Sequence, residues 1–226
     1  MRVIDLGRMA YREAWRIQEE AHEAVMAGGE ERILLVEHPP VVTLGRRPGV
    51  IQHLTVSPEH LERVGVELVQ SDRGGDITFH GPGQVVAYSI VRLNDHGLSV
   101  GGYVRALERA VISALGEFGM RVQRDESAVG VWADDGTGTL AKVCAIGVRI
   151  RRGVSLHGVA LNVTTDLDYF NLIVPCGLAG RPVTSVRKLL GERSPPIEVV
   201  RGVLARHLVE SLTAREPAAP AGLPPA

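Results

Sequence analysis

Apolar side chains recur along this chain at two spacings, and the changes between them divide it into elements. Val3–Leu6 reads as a first short strand. From Met9 to Ala27 the apolar positions Ala10, Ala14, Ile17, Ala21 and Val25 recur every three or four residues, which predicts a helix ended by Gly28-Gly29. Arg32–Glu37 (RILLVE) is almost wholly apolar and predicts a buried strand; His38-Pro39-Pro40 ends it, and Val41–Leu44 resumes an extended path. Ser57-Pro58 predicts an N-cap and a first helical proline for a short helix to about Val64, followed by a strand at Val66–Gln70. Ser99 predicts the cap of a long helix to Glu117, whose apolar positions Val100, Tyr103, Val104, Leu107, Val111, Ile112 and Leu115 form a sheet-packing stripe. Val122, Val129–Trp132, Lys142–Arg149 and Gly158–Val163 read as strands, with Asp134–Thr139 as a turn. A brief helical turn at Asp168–Leu172, a short helix at Val183–Leu190 and a last helix at Pro196–Leu212 complete the pattern. Strands and helices do not alternate strictly. The expected fold class is therefore α+β, a single domain over 1–214 with a mixed, largely antiparallel sheet backed by helices. The proline- and alanine-rich stretch 215–226 reads as a flexible tail.

The densest stretch is Arg73–Tyr88, RGGDITFHGPGQVVAY. Gly74, Gly75, Gly81 and Gly83 let the backbone turn sharply and approach a ligand. Ile77, Phe79, Val85, Val86 and Tyr88 are strand formers. Arg73 is a permanent cation and His80 can exchange protons near neutral pH. The pattern suits two strands paired through a glycine-rich turn, with Arg73 and His80 facing one site. It also suits plain structural turns. The Gly-Lys-Ser/Thr ending of a Walker-type phosphate loop is missing.

Composition narrows the function. The chain has 226 residues, 45% hydrophobic and 23% charged, enough for a substantial core without metal or disulfide staples. A net charge of −1 and 4% aromatic residues argue against a nucleic-acid surface. The charged start MRVIDLGRMAYREAW does not read as a secretory signal, and no apolar run approaches membrane-spanning length. A cytoplasmic protein with two free thiols, Cys144 and Cys176, is the expectation. The eight histidines form no HExxH or CxxC-type cluster, so no metal and no cofactor are expected.

Candidate chemistry gathers on a few residues. Cys176, between Pro175 and Gly177, belongs to a bend and is either an exposed nucleophile or an inert thiol. A nearby cation would ionise it, and Lys142, set among apolar neighbours in LAKVCAIGVRI, is the candidate. Lys142 acts there as an ammonium or as a desolvated neutral base; alternatively it only snorkels to solvent. Cys144 shares a face with Lys142 by simple alternation, and its flanks Val143 and Ala145 suit a core thiol. His157, in HGVALN, orients Lys142, binds a substrate carbonyl or is structural. His38, followed by Pro39-Pro40, and Arg46 are loop candidates for the same site. Gly158 and Ala160 leave space for a ligand. Arg8, Arg12 and Arg16 form an outer row, either a solvated face or a surface for an acidic partner.

Taken together, EHPPVVTLGRR (37–47), DRGGDITFHGPGQVVAYSI (72–90), GVW (130–132), AKVCAIGVRI (141–150), LHGVALNV (156–163) and PCG (175–177) resemble the lipoyl(octanoyl) transferases of lipoate biosynthesis, in family order over nearly the whole chain. Cys144 departs from the pattern, which has a small apolar residue there. The resemblance implies a fold similar to biotin protein ligase and lipoate ligase catalytic domains. It implies transfer of an octanoyl group from octanoyl-acyl carrier protein to a lysine of a lipoyl-accepting domain. The acceptors would be lipoyl domains of 2-oxoacid dehydrogenase complexes and the glycine cleavage H protein. By residue match, Cys176 would carry the acyl thioester and Lys142 would tune it. The substrate site would be lined by Arg73, Gly74, Gly75, Asp76, Ile77, Thr78, Phe79 and His80, by Ala145, Ile146 and Gly147, and by Gly158, Val159 and Ala160. His38 and His157 would support it. An ATP-dependent lipoate or octanoate ligase is the alternative, and a non-catalytic lipid- or carrier-binding module the third reading.

Overall fold

The computed structural model describes residues 1–174 and 181–214. Ten strands and five α-helices occur among them. A seven-stranded sheet has the order β1-β2-β6-β10-β9-β8-β7. Its strands are β1 (Arg2–Arg8), β2 (Arg32–Glu37), β6 (Gln84–Ile90), β7 (Val122–Asp125), β8 (Ala128–Asp134), β9 (Leu140–Arg151) and β10 (Val154–Asn162). Only β1 and β2 run parallel, joined by helix α1 (Tyr11–Met26); the other neighbours are antiparallel. A three-stranded sheet, unforeseen in the sequence, has the order β4-β3-β5 and contains β3 (Val41–Leu44), β4 (Glu67–Gln70) and β5 (Thr78–His80). Helix α2 (Pro58–Arg63) packs beside it, capped by Ser57 as expected.

Both faces of the large sheet are covered, which explains its continuous apolar runs. Ile33, Leu35, Val85, Ala87, Val159 and Leu161 pack on α3 (Val100–Gly116) and α5 (Ile197–Thr213), through Leu107, Val111, Leu204 and Leu208. The alternate residues Leu34, Val36, Val86, Tyr88, Leu156 and Ala160 face α1 through Ala14, Ala21 and Val25. Val100 is an exception to the expected stripe: at the first turn of α3 it is 54% exposed. Helix α4 (Val186–Leu190) begins at Val186, later than the sequence pattern suggests, because Pro182 and Val183 instead pair with Lys142 of β9.

The sequence reading of Arg73–Tyr88 as one paired hairpin is corrected. β5 pairs with β3, whereas β6 pairs with β2 and β10. The Gly81–Gly83 turn thus carries the chain from the small sheet to the large one. Gly158, expected to leave room for a ligand, is first of all required by the sheet: a Cβ there would lie 2.1 Å from the carbonyl oxygen of Ala87 on β6.

Candidate active site

A cavity of about 530 Å³, counting its open mouth, lies between the two sheets. The turn before β5 supplies Arg73, Gly75, Asp76 and Ile77, and β5 supplies Thr78 and His80. Its far wall is Lys142, Ala145, Ile146 and Gly147 of β9 with His157, Gly158, Val159 and Ala160 of β10. Tyr11, Val86 and Tyr88 close the floor and were not singled out for the site in sequence. Two of the expected lining residues stand behind the wall. Phe79 fills the core of the small sheet, stacked on Tyr169 with centroids 4.8 Å apart. Gly74 donates its N–H to Val148 O at 2.9 Å, stitching the turn to β9.

The polar groups of the wall are tightly tied. Buried Arg73 donates to Thr43 Oγ1 at 3.1 Å from Nε and to Thr43 O at 2.6 Å from Nη2. Asp76 accepts from Ile77 N at 2.7 Å, His53 Nδ1 at 2.6 Å and Arg47 Nη1 at 3.1 Å. Burial alone would raise its carboxyl, but these three donors win and hold it below the usual carboxylate range. Asp72 behaves likewise: His157 Nε2 donates to it at 2.6 Å and Arg149 forms an ion pair with it. His157 has φ 60, a left-handed conformation rare in a strand, and its N–H donates to Gln18 Oε1 at 2.9 Å. Burial pushes its ring below the ordinary histidine value, against the pull of Asp72. Among the described residues Arg46 meets the site through its backbone, donating its N–H to Arg73 O at 3.1 Å.

His80 is set by a chain of amides. Thr184 N donates to Lys142 O at 2.9 Å, and Asn162 Nδ2 donates to Thr184 O at 3.0 Å. Gln84 Nε2 donates to Asn162 Oδ1 at 2.8 Å, and His80 Nδ1 lies 2.7 Å from Gln84 Oε1. An amide oxygen only accepts, so the His80 hydrogen sits on Nδ1. Burial pushes this ring down to about 3, and it is neutral at pH 7. His38 lies one layer deeper, with Nδ1 donating to Met9 O at 2.7 Å and Nε2 accepting from the Tyr88 hydroxyl at 2.8 Å. Burial lowers it to about 4. With both nitrogens occupied, it braces Tyr88 and does not line the cavity.

Lys142 and Cys144 part company despite their spacing. Val131 pairs with Cys144 and Trp132 with Lys142, so β9 carries one extra residue and strict alternation fails. Lys142 lines the cavity with Nζ 4.7 Å from the Trp132 ring centroid. Cys144 is sealed in the core, and burial pushes its thiol up to about 12. Cys176, with Pro175 and Gly177, lies outside the described residues. The two ends of the segment that carries it are fixed. Val174 N donates to His53 O at 2.7 Å, and Lys142 N donates to Pro182 O at 2.9 Å.

Among the described residues no group of His, Cys, Asp and Glu is placed to hold a metal ion, and no helix is long and apolar enough to cross a membrane. The outer arginine row faces acidic neighbours of its own chain: Arg12 meets Glu67 at 2.7 Å, Arg16 meets Glu20 and Arg8 approaches Glu37 at 4.0 Å.

The mixed sheet backed by helices, with its smaller second sheet, is the fold of solved lipoate-protein ligases and biotin protein ligase. A solved lipoate-protein ligase A bound with ATP superposes with TM-score 0.78 at 18% identity, covering 93% of this chain and 85% of that one. Biotin protein ligase from Aquifex aeolicus gives 0.52 at 12% identity, covering 94% and 69%. Residues 10–209 match the family described as lipoyl protein ligase A/B catalytic domain, and the chain belongs to it. Within that family it is an acyltransferase: a relative from Roseiflexus sp. (strain RS-1), 48% identical over 84% of this chain and 78% of its own length, is an octanoyltransferase.

Proposed function

We propose that this enzyme moves an octanoyl group from octanoyl-acyl carrier protein to a lysine of lipoyl-accepting domains through a thioester on Cys176. The acceptors on this reading are lipoyl domains of 2-oxoacid dehydrogenase complexes and the glycine cleavage H protein. The observation that carries the reading is the position of Lys142. It stands at the cavity wall, and its backbone holds Pro182, which follows the Cys176 segment in the chain. A cation beside a thiol raises its thiolate fraction, and the thiolate is the nucleophile.

In the first half-reaction the Cys176 sulfur attacks the donor carbonyl, and the carrier thiolate leaves and takes a proton. One thioester replaces another, so no ATP is required. In the second, the acceptor amine attacks the Cys176 thioester, an amide forms, the sulfur leaves and the amine gives up a proton. Capture on the enzyme lets two large carrier proteins dock in turn. Val86, Ala145 and Ala160, with Gly147 and Gly158 leaving room beside them, give the cavity an apolar lining for the acyl tail.

Intact-protein mass spectrometry after incubation with octanoyl-acyl carrier protein, without ATP, tests this. A single octanoyl adduct that maps to Cys176 and disappears in Cys176→Ala is expected. An adduct that survives in Cys176→Ala, or a strict need for ATP, overturns the reading and favours the ligase alternative.

A further inference from the structure

The Gly130-Val131-Trp132 motif of β8 lies against the lysine of this site. Trp132 is 1% exposed, and its indole Nε1 donates to Ala128 O at 3.0 Å, which fixes the ring. Lys142 Nζ lies 4.7 Å from the ring centroid and the Arg181 guanidinium carbon 3.9 Å from it, both within cation–π range. The two cations are therefore within roughly 9 Å of each other, and the electron-rich ring lies against both.

Three local features build this contact. The extra residue in β9 brings Lys142, and not Val143, opposite Trp132. Gly130, at φ 132, leaves space for the lysine stem: a Cβ there would lie 3.2 Å from Lys142 Cε and 3.5 Å from Cδ. Arg181 is held independently of the ring, by an ion pair with Asp125 and by donation to Ser127 Oγ at 3.1 Å. Gly130 thus clears the stem, and Trp132 receives the head.

We propose that Trp132 is the positioning residue for Lys142: its π face holds the ammonium at the cavity wall and thereby sets how much of Cys176 is thiolate. The proposal rests on the reading of Cys176 and Lys142 as an interacting pair. It needs no new chemical step, only an attraction whose strength follows the electron density of the ring.

Fluorinated tryptophans test it with little change of shape. In a Trp15→Phe background, Trp132 is replaced by mono-, di- and tetrafluorotryptophan, and circular dichroism melting confirms the fold. Iodoacetamide labelling of Cys176 is followed across pH by peptide mass spectrometry. The rate near neutral pH should fall stepwise with fluorination, by up to about tenfold overall, and should do so equally in an Arg181→Met background. A flat or rising series overturns the proposal. So does a series that flattens in Arg181→Met, which would assign the ring to the arginine. Lys142→Met, labelled alongside, separates the two levels. If it leaves the Cys176 profile unchanged, the pair reading itself fails. If it shifts the profile while fluorination does not, the pair stands and the role of Trp132 is wrong.

Discussion

Two buried imidazoles should make this fold unusually sensitive to mild acid. Burial lowers His38 to about 4 and His80 to about 3, from an ordinary value of 6.5. Between pH 6.5 and about 4 the unfolded chain therefore binds protons at both positions and the folded chain does not. Unfolding is favoured as pH falls through that window, and the stabilisation is fully present above 6.5. At about 1.4 kcal/mol per pH unit per site, two sites lose roughly 5 kcal/mol on going from about pH 6.5 to about pH 4.5. That is comparable to the whole stability of many domains. The rings are 5.9 Å apart and interact, so the loss belongs to the pair. The measurement is urea unfolding at a series of pH values, for wild type and for the double variant His38→Gln/His80→Gln. The double variant starts less stable, having lost the bond from the Tyr88 hydroxyl, but its dependence on pH should be clearly flatter, by up to roughly 3 kcal/mol per pH unit. His22, His157 and the carboxylates titrate in both proteins and cancel. Parallel curves would refute the reasoning, because they would mean that neither ring is held neutral by its surroundings.

Three further outcomes follow from the geometry. Gly158→Ala should cost roughly 2–4 kcal/mol, because the new methyl meets a backbone oxygen that cannot swing aside. Gly147→Ala, whose nearest neighbour would be Gly74 O at 3.2 Å, should cost visibly less, and equal costs in thermal melts would count against this. Tyr88→Phe removes the donor to His38 Nε2 and should cost roughly 1–3 kcal/mol in denaturant titration; a loss below about 0.5 kcal/mol would mean that the bond contributes little. Cys144→Ala should leave transfer activity intact, and native Cys144 should resist iodoacetamide until the protein unfolds; rapid native labelling would contradict its burial.

The sequence carried most of the elements and part of the site, for identifiable reasons. RILLVE and QVVAYSI announce buried strands because a sheet covered on both faces leaves no polar alternation to confuse the reading. Ser57 and Ser99 announce helix starts because the hydroxyl that caps each helix is local chemistry. Partner choice is not local. Nothing in Thr78–His80 says that it pairs with β3 and not with the strand four residues ahead, and this is why the hairpin reading failed. The same limit hid Tyr11, whose helical position reads as ordinary core. The Lys142–Cys144 alternation failed at a bulge, which strand periodicity cannot reveal. Arg73, Asp76, His80 and Lys142 were legible as cavity residues because charge in an apolar, glycine-rich setting is costly without a reason. Phe79 belongs to that same run, but its ring serves the core of the small sheet.

The amide chain that ends at His80 has one more consequence. Each of its donors points back toward the lysine strand, and none of its amides can ionise. The orientation is thus dictated from a main-chain carbonyl several side chains away. The ring nitrogen left over on His80 bears no hydrogen. Any guest that meets it must bring a hydrogen of its own, so that corner of the slot welcomes an amine or a hydroxyl and rebuffs a bare carbonyl.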